Sequence, residues 1–149
     1  MKISQDLPQF KEENALLIVT GKHEADFFHA SHGEIERIAG FKVEKPHYSD
    51  REGHFKTRGR GVTVASGAVY EAQKEKILQD FRREFRKALR LALGNNHPDV
   101  LYVYTPAYLK NEVYALLPKR IQSLVKKIFS INIYGRHPFE ILERIRVRS

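Results

Sequence analysis

The first third of the chain alternates short apolar runs with turn residues. Residues 15–19 (ALLIV) form a continuous apolar run, typical of a strand buried on both faces. Residues 24–30 (EADFFHA) and 34–45 (EIERIAGFKVEK) predict two further strands, joined by the turn Ser31-His32-Gly33. Gly40 marks the expected position of a β-bulge in the third strand. Three consecutive strands with short turns predict an antiparallel meander.

One long segment, residues 67–93, has helical periodicity. Its apolar residues recur every three or four positions, and its charged residues occupy the other positions. The Gly-Asn-Asn sequence at 94–96 ends the helix, because these residues tolerate the left-handed conformation at a helix C-terminus. The predicted buried face consists of Ile77, Leu78, Phe81, Phe85, Ala88, Leu89 and Ala92.

The remaining third predicts alternating strands and helices. Residues 100–104 (VLYVY) read as a buried strand, and Thr105-Pro106 would open a helix to about residue 116. A second helix over 118–128, a fifth strand over 130–134 (SINIY) and a last helix from His137-Pro138 complete the chain. Residues 1–14 are predicted to be a polar N-terminal arm, followed by a single domain over 15–149. The fold class is therefore α/β, with a mixed five-stranded sheet of the ribonuclease-H-like or translation-machinery type.

Residues 46–66 have no apolar periodicity and are predicted to form a long basic loop. The segment HYSDREGHFKTRGRGVTVAS, residues 47–66, cannot bury a face of its own. Loops held between regular elements commonly carry binding residues. The cations that this loop would offer to a polyanion are Arg51, Lys56, Arg58 and Arg60.

The charge balance of the whole chain supports an anionic partner. Its 149 residues include 26 Lys and Arg against 18 Asp and Glu, which gives a formal net charge of +8. Such a chain is attracted to phosphate backbones. Arg83 and Lys87, on the polar side of the long helix, are two more expected phosphate contacts. No secretory signal or membrane-spanning run is visible, and we expect a cytoplasmic location.

The residues that could carry chemistry are scattered. The chain has no cysteine, which excludes disulfides and thiolate chemistry. A metal-dependent nuclease needs clustered acids, and Asp26, Glu71 and Asp99 are the available ones; we expect Asp26 to face solvent and Asp99 to belong to a turn. The seven histidines show no metal-ligand spacing, so we expect no metal and no cofactor. Tyrosines 102, 104, 108 and 114 are expected to be core or core-edge residues, with base stacking as the alternative.

Four stretches together resemble a known family. They are ADFFHASHGEIERI, EAQKEKILQDFRREFRKALRLAL, DVLYVYTPAYLKNEVYALLP and INIYGRHPFEILERI, and with the basic loop they cover residues 16–145. The chain resembles the middle domain of archaeal and eukaryotic class-1 release factors and of Pelota, the ribosome-rescue factor. It is also similar to bacterial single-domain relatives labelled release-factor-like or host-attachment proteins. The resemblance implies association with the ribosome.

The chain departs from the release factors in the loop that would carry their chemistry. In those factors the loop carries a Gly-Gly-Gln tripeptide that reaches the peptidyl-transferase centre. Here the loop has Gly59-Arg60-Gly61, and the next glutamine is Gln73, within the helix. The resemblance therefore implies a non-catalytic ribosome- or RNA-binding protein. A metal-dependent nuclease and a protein-interaction or host-attachment module remain the alternatives.

Overall fold

The computed structural model describes residues 1–44, 60–94 and 97–148, with the backbone alone for 60–70 and 147–148. The strands are β1 (Ala15–Thr20), β2 (Glu24–Ser31), β3 (Glu34–Lys42), β4 (Val100–Thr105) and β5 (Val125–Ser130). The helices are α1 (Arg60–Gly94), a 3-10 turn (Ala107–Leu109), α2 (Lys110–Leu116), α3 (Lys119–Gln122) and α4 (Pro138–Arg148).

The five strands form one mixed sheet in the order β3-β2-β1-β4-β5. β1 pairs antiparallel with β2, which pairs antiparallel with β3. On its other side β1 pairs in parallel with β4, and β4 pairs in parallel with β5. The predicted fold class is confirmed: three antiparallel strands are followed by parallel strands connected through helices. All six residues of β1 are buried, as expected for the central strand of a sheet covered on both faces.

Each face of the sheet has its own hydrophobic core. On one face, α1 packs its predicted apolar side against β2 and β3. Phe81 and Phe85 are at most 1% exposed. The Phe85 ring lies 5.3 Å from that of Phe27 in β2 and 6.5 Å from that of Phe41 in β3. These aromatic contacts fix α1 to the antiparallel half of the sheet.

The N-terminal segment and α4 cover the opposite face. Ile3, Leu7 and Phe10 are buried in the same core as Ile141 of α4. The segment is also bonded to the β2–β3 hairpin, since the Ile3 N–H donates to the Gly33 carbonyl at 2.8 Å. Residues predicted to be a separate polar arm thus contribute apolar side chains to the core.

The fifth strand lies earlier in the chain than predicted. The sequence predicted a helix over 118–128 and a strand over 130–134. In the structure, α3 ends at Gln122 and β5 runs from Val125 to Ser130. The exposed Lys126 and Lys127 interrupt the apolar pattern by which a strand is predicted. Lysines are common on edge strands such as β5, because they oppose pairing with a further strand.

Three local predictions also differ from the structure. The long helix begins at Arg60, seven residues before its predicted start, so residues 60–66 are helical and outside any loop. The irregularity in β3 falls at Ile38, since Phe27 pairs with Ala39 and Phe28 with Arg37; Gly40 lies two residues beyond it. Thr105 is the last residue of β4 and caps no helix through its side chain.

The Thr105 side chain instead makes a buried contact across the sheet. Its Oγ1 lies 2.7 Å from the Oγ1 of Thr20, at the carboxyl ends of the parallel strands β1 and β4. Both threonines are fully buried. Two polar groups inside the core thus satisfy each other.

Length and apolar character decide whether a helix can cross a lipid bilayer. In the described part of the chain, no helix is both long and apolar enough to cross a membrane.

Candidate nucleic-acid interface

The helix α1 contributes half of the net charge of the chain. The helix contains eight Lys or Arg and four Asp or Glu, so it contributes +4 of the total of +8. Its buried side is fixed against the sheet by the phenylalanines described above. The charged side is therefore held on a rigid element that faces solvent, as a phosphate-binding surface requires.

Arg83 and Lys87 lie on this exposed side, but neighbouring acids partly neutralise them. Their side chains are 64% and 61% exposed. Arg83 contacts Asp80 at 3.2 Å and Glu84 at 3.3 Å, and Lys87 contacts Glu84 at 3.9 Å. Exposed pairs of this kind stabilise a protein by about 0–1 kcal/mol, so a phosphate could replace them at small cost.

Arg86 and Arg90 are the stronger candidates. Both are exposed and lie one helical turn apart, on the same side of α1. Among the described residues, neither has a carboxylate within ion-pair distance. The sequence analysis did not select them, although a signal was present: no acid lies three or four residues before or after either arginine. Both guanidinium groups are available to an external anion.

The predicted loop contacts lie mostly beyond the described residues. Arg51, Lys56 and Arg58 fall outside them, and for Arg60, the first residue of α1, only the backbone is described. Their role in binding stays a prediction from the sequence.

The acids considered for a nuclease site do not converge. Asp26 is paired with Arg37, whose Nε lies 2.8 Å from its Oδ1, and its side chain is only 16% exposed. The expectation that Asp26 faces solvent is therefore wrong. Asp99 lies at the other end of β1, where its Oδ2 accepts a hydrogen bond from the Asn14 N–H at 2.8 Å.

Spacing along the sheet confirms this separation. Asp26 pairs with Val19 near the carboxyl end of β1, whereas Asp99 bonds to Asn14 just before its first residue. Five residues of strand separate these positions by about 16 Å. Metal pairs in nucleases lie about 4 Å apart. Glu71 is exposed on α1, and the described residues contain no group of three His, Cys, Asp or Glu side chains able to hold a metal ion.

The four tyrosines divide into two core and two surface residues. Tyr102 and Tyr104 are buried, as predicted, and the Tyr104 hydroxyl donates to the Ile141 carbonyl at 3.0 Å. Burial raises the pKa of Tyr104 far above its ordinary value. Tyr108 and Tyr114 are 66% and 39% exposed, so neither belongs to the interior of the core. Their rings are accessible to a binding partner.

Comparison with solved structures identifies a protein of similar fold. The chain is similar to the archaeal translation termination factor aRF1, with a TM-score of 0.51 and 13% sequence identity. The match covers 91% of this chain and 38% of that factor, so the chain spans well under half of its length. No family model and no curated protein matches the chain. The predicted resemblance to release factors is confirmed for the fold.

Proposed function

We propose that this chain is a ribosome- or RNA-associated binding protein that does not itself hydrolyse peptidyl-tRNA. The observation that carries the proposal is the fold likeness to a translation termination factor over 91% of the chain. The rigid cationic side of α1 supports it, because Arg86 and Arg90, which have no ion-pair partner among the described residues, suit the phosphates of RNA. Phosphate contacts release condensed counterions, which favours binding at low salt.

The proposal assigns phosphate contacts to two groups of cations. Arg86 and Arg90 come first, since both are exposed and lack an acidic neighbour among the described residues. Arg83 and Lys87 contribute after exchanging their acidic neighbours for phosphates. The cations Arg51, Lys56 and Arg58, together with Arg60 at the start of α1, complete the surface, on the strength of their charge alone.

The absence of hydrolysis follows from the sequence at the start of α1. The Gly59-Arg60-Gly61 sequence offers no glutamine side chain, whereas the release factors carry a Gly-Gly-Gln tripeptide. We therefore expect association with ribosomes without release of the nascent peptide.

Co-sedimentation with ribosomes over a range of salt concentrations tests this function. The Arg86→Ala/Arg90→Ala variant should bind more weakly, and the slope of log affinity against log salt should flatten by about one unit per lost phosphate contact. The Arg58→Ala/Arg60→Ala variant should behave similarly. The loss should be alike for RNAs of different sequence, because phosphates carry no base identity.

A matched control separates local contacts from overall charge. Lys11→Ala/Arg144→Ala removes the same two charges from exposed positions next to the opposite core, and it should reduce binding less. Equal losses in both variants would mean that net charge alone drives binding. Failure of the native protein to associate with ribosomes or RNA would refute the proposal and favour a protein partner. Metal-dependent RNA cleavage would favour the nuclease.

A further inference from the structure

A cleft of about 420 Å³ lies between α1, the turn after β4 and the turn between β1 and β2. Its apolar lining comes from Ile77, Leu78 and Phe81 of α1, together with Leu109 of the 3-10 turn. Clefts of this size and apolar character hold small organic groups in many proteins. Arg86 and Arg90 of α1 do not line this cleft.

The position of the cleft in the fold is one where α/β proteins bind ligands. Two of its walls are formed by the segments that leave β1 and β4, which are parallel neighbours. The carboxyl ends of adjacent parallel strands leave a crevice, because the connecting segments diverge there. The exposed Tyr108 and Lys22 stand on these two departing segments.

The rim of the cleft favours an anion next to an apolar group. Lys22 and Lys74 line it. The carboxylate of Glu112, which also lines it, is already paired with the Arg82 guanidinium. Glu24 is nearby and accepts a hydrogen bond from the His23 N–H at 2.6 Å. The charge of Glu112 is thus compensated by Arg82, and Lys22 and Lys74 add two positive charges to the rim.

Tyr108 supplies a flat, accessible ring at this rim. Its side chain is 66% exposed and lines the apolar cleft. Partial burial, and secondarily the charge of Glu24, raise the pKa of Tyr108, so the phenol stays neutral at physiological pH. A neutral aromatic ring can stack on any nucleobase.

We propose that this cleft binds one unstacked nucleotide of single-stranded RNA, with its base against Tyr108 and its phosphate near Lys22 and Lys74. This inference rests on the proposed function and adds to it a second kind of contact. The α1 arginines recognise phosphates, whereas the cleft recognises the face of a base. The two contributions are separable by mutation, since they involve different residues.

A tryptophan reporter tests the stacking directly. The chain contains no tryptophan, so Tyr108→Trp introduces a single tryptophan at the cleft, whose emission can be excited selectively over that of the tyrosines. Titration with a six-nucleotide single-stranded RNA should quench its emission with saturation. Tyr114→Trp provides the matched control, because it places the same emitter at another exposed position, on α2. Its emission should change little; equal quenching of both variants would overturn the inference.

Binding constants provide the second measurement. Tyr108→Ala should weaken binding of the labelled RNA about tenfold, and Tyr108→Phe should keep near-native affinity, because the ring and not the hydroxyl stacks. Unchanged affinity in Tyr108→Ala, while Arg86→Ala/Arg90→Ala still weakens ribosome binding, would refute the cleft and leave the proposed function standing. Absence of any RNA or ribosome binding by the native protein would refute both.

Discussion

The hydroxyl pair between Thr20 and Thr105 permits a quantitative test of the sheet interior. Three variants are required: Thr20→Val, Thr105→Val and the double substitution. Valine has nearly the same shape as threonine, so it opens no cavity and removes only the hydroxyl group. Both side chains are fully buried, and the 2.7 Å contact is the hydrogen bond that the two hydroxyls share.

The expected magnitudes follow from the cost of a buried polar group that has lost its partner. Each single substitution leaves one hydroxyl in an apolar environment and should lower the free energy of unfolding by about 1–3 kcal/mol. The double substitution removes both polar groups together and should cost less than either single one. The coupling free energy between the two positions should therefore be about 1–3 kcal/mol or more.

Urea titration of the native protein and of the three variants measures this coupling. The slope of the free energy against urea concentration should be equal in all four, which would show that the unfolded states are comparable. If the double variant instead loses the sum of the single losses, the hydroxyls do not satisfy each other. The reasoning about the paired threonines would then be wrong.

Other substitutions test the remaining contacts of the fold in the same titration. Phe85→Ala should cost about 3–5 kcal/mol because its ring is fully buried, and Leu91→Ala, at a position 75% exposed on the same helix, should cost under about 0.5 kcal/mol. A loss below about 1 kcal/mol for Phe85→Ala would mean that the assigned helix face is wrong. Gly40→Ala should cost about 1–3 kcal/mol, since its Cβ would lie 2.9 Å from a backbone oxygen of β2, whereas Gly94→Ala meets nothing within 4 Å; equal effects would contradict this packing. Phe10→Ala should also destabilise the whole domain by about 3–5 kcal/mol, and a near-neutral result would show that the N-terminal segment is dispensable.

The elements that were predicted correctly are those in which most of the residue pattern reflects burial of apolar side chains. β1 and β4 are continuous apolar runs, and the inner side of α1 repeats every three to four residues, because each packs against the sheet core. β5 was misplaced because it is an edge strand. Its Lys126 and Lys127 break the apolar pattern, while Ile131 and Ile133 pack against the opposite core from a segment outside any strand.

The N-terminal segment and the start of α1 illustrate two other limits of sequence patterns. Ile3, Leu7 and Phe10 have the spacing of four and three residues that indicates an amphipathic helix, but the segment forms no helix, so the spacing signals burial without giving the local structure. Gly61 and Gly67 each disfavour a helix by about 1 kcal/mol relative to alanine. The helix start was predicted at residue 67 because residues 46–66 lack apolar periodicity, whereas the structure begins the helix at Arg60.

The candidate site was predictable in its charge and less so in its geometry. Composition indicated an anionic partner, and Arg83 and Lys87 do lie on the exposed side of α1. The pairs Arg83–Asp80 and Lys87–Glu84 were visible in the sequence as acids three residues away, and Glu84 is also the direct neighbour of Arg83. Applying the same rule to Arg86 would have selected it at once. The exposure of Tyr108 could not be anticipated, since it depends on where the segment after β4 leaves the sheet.

The long helix connects the two proposed binding regions. Lys74 lines the cleft, and Arg86 lies twelve residues further along α1, a distance of about 18 Å along the helix axis. Because both lie on one rigid element, an RNA strand long enough to span them would be held at two points, and the second contact would form at a high effective concentration. A free nucleotide would reach only the cleft and would gain no such advantage. The proposed arrangement thus favours extended single strands over nucleotides, without requiring any sequence preference.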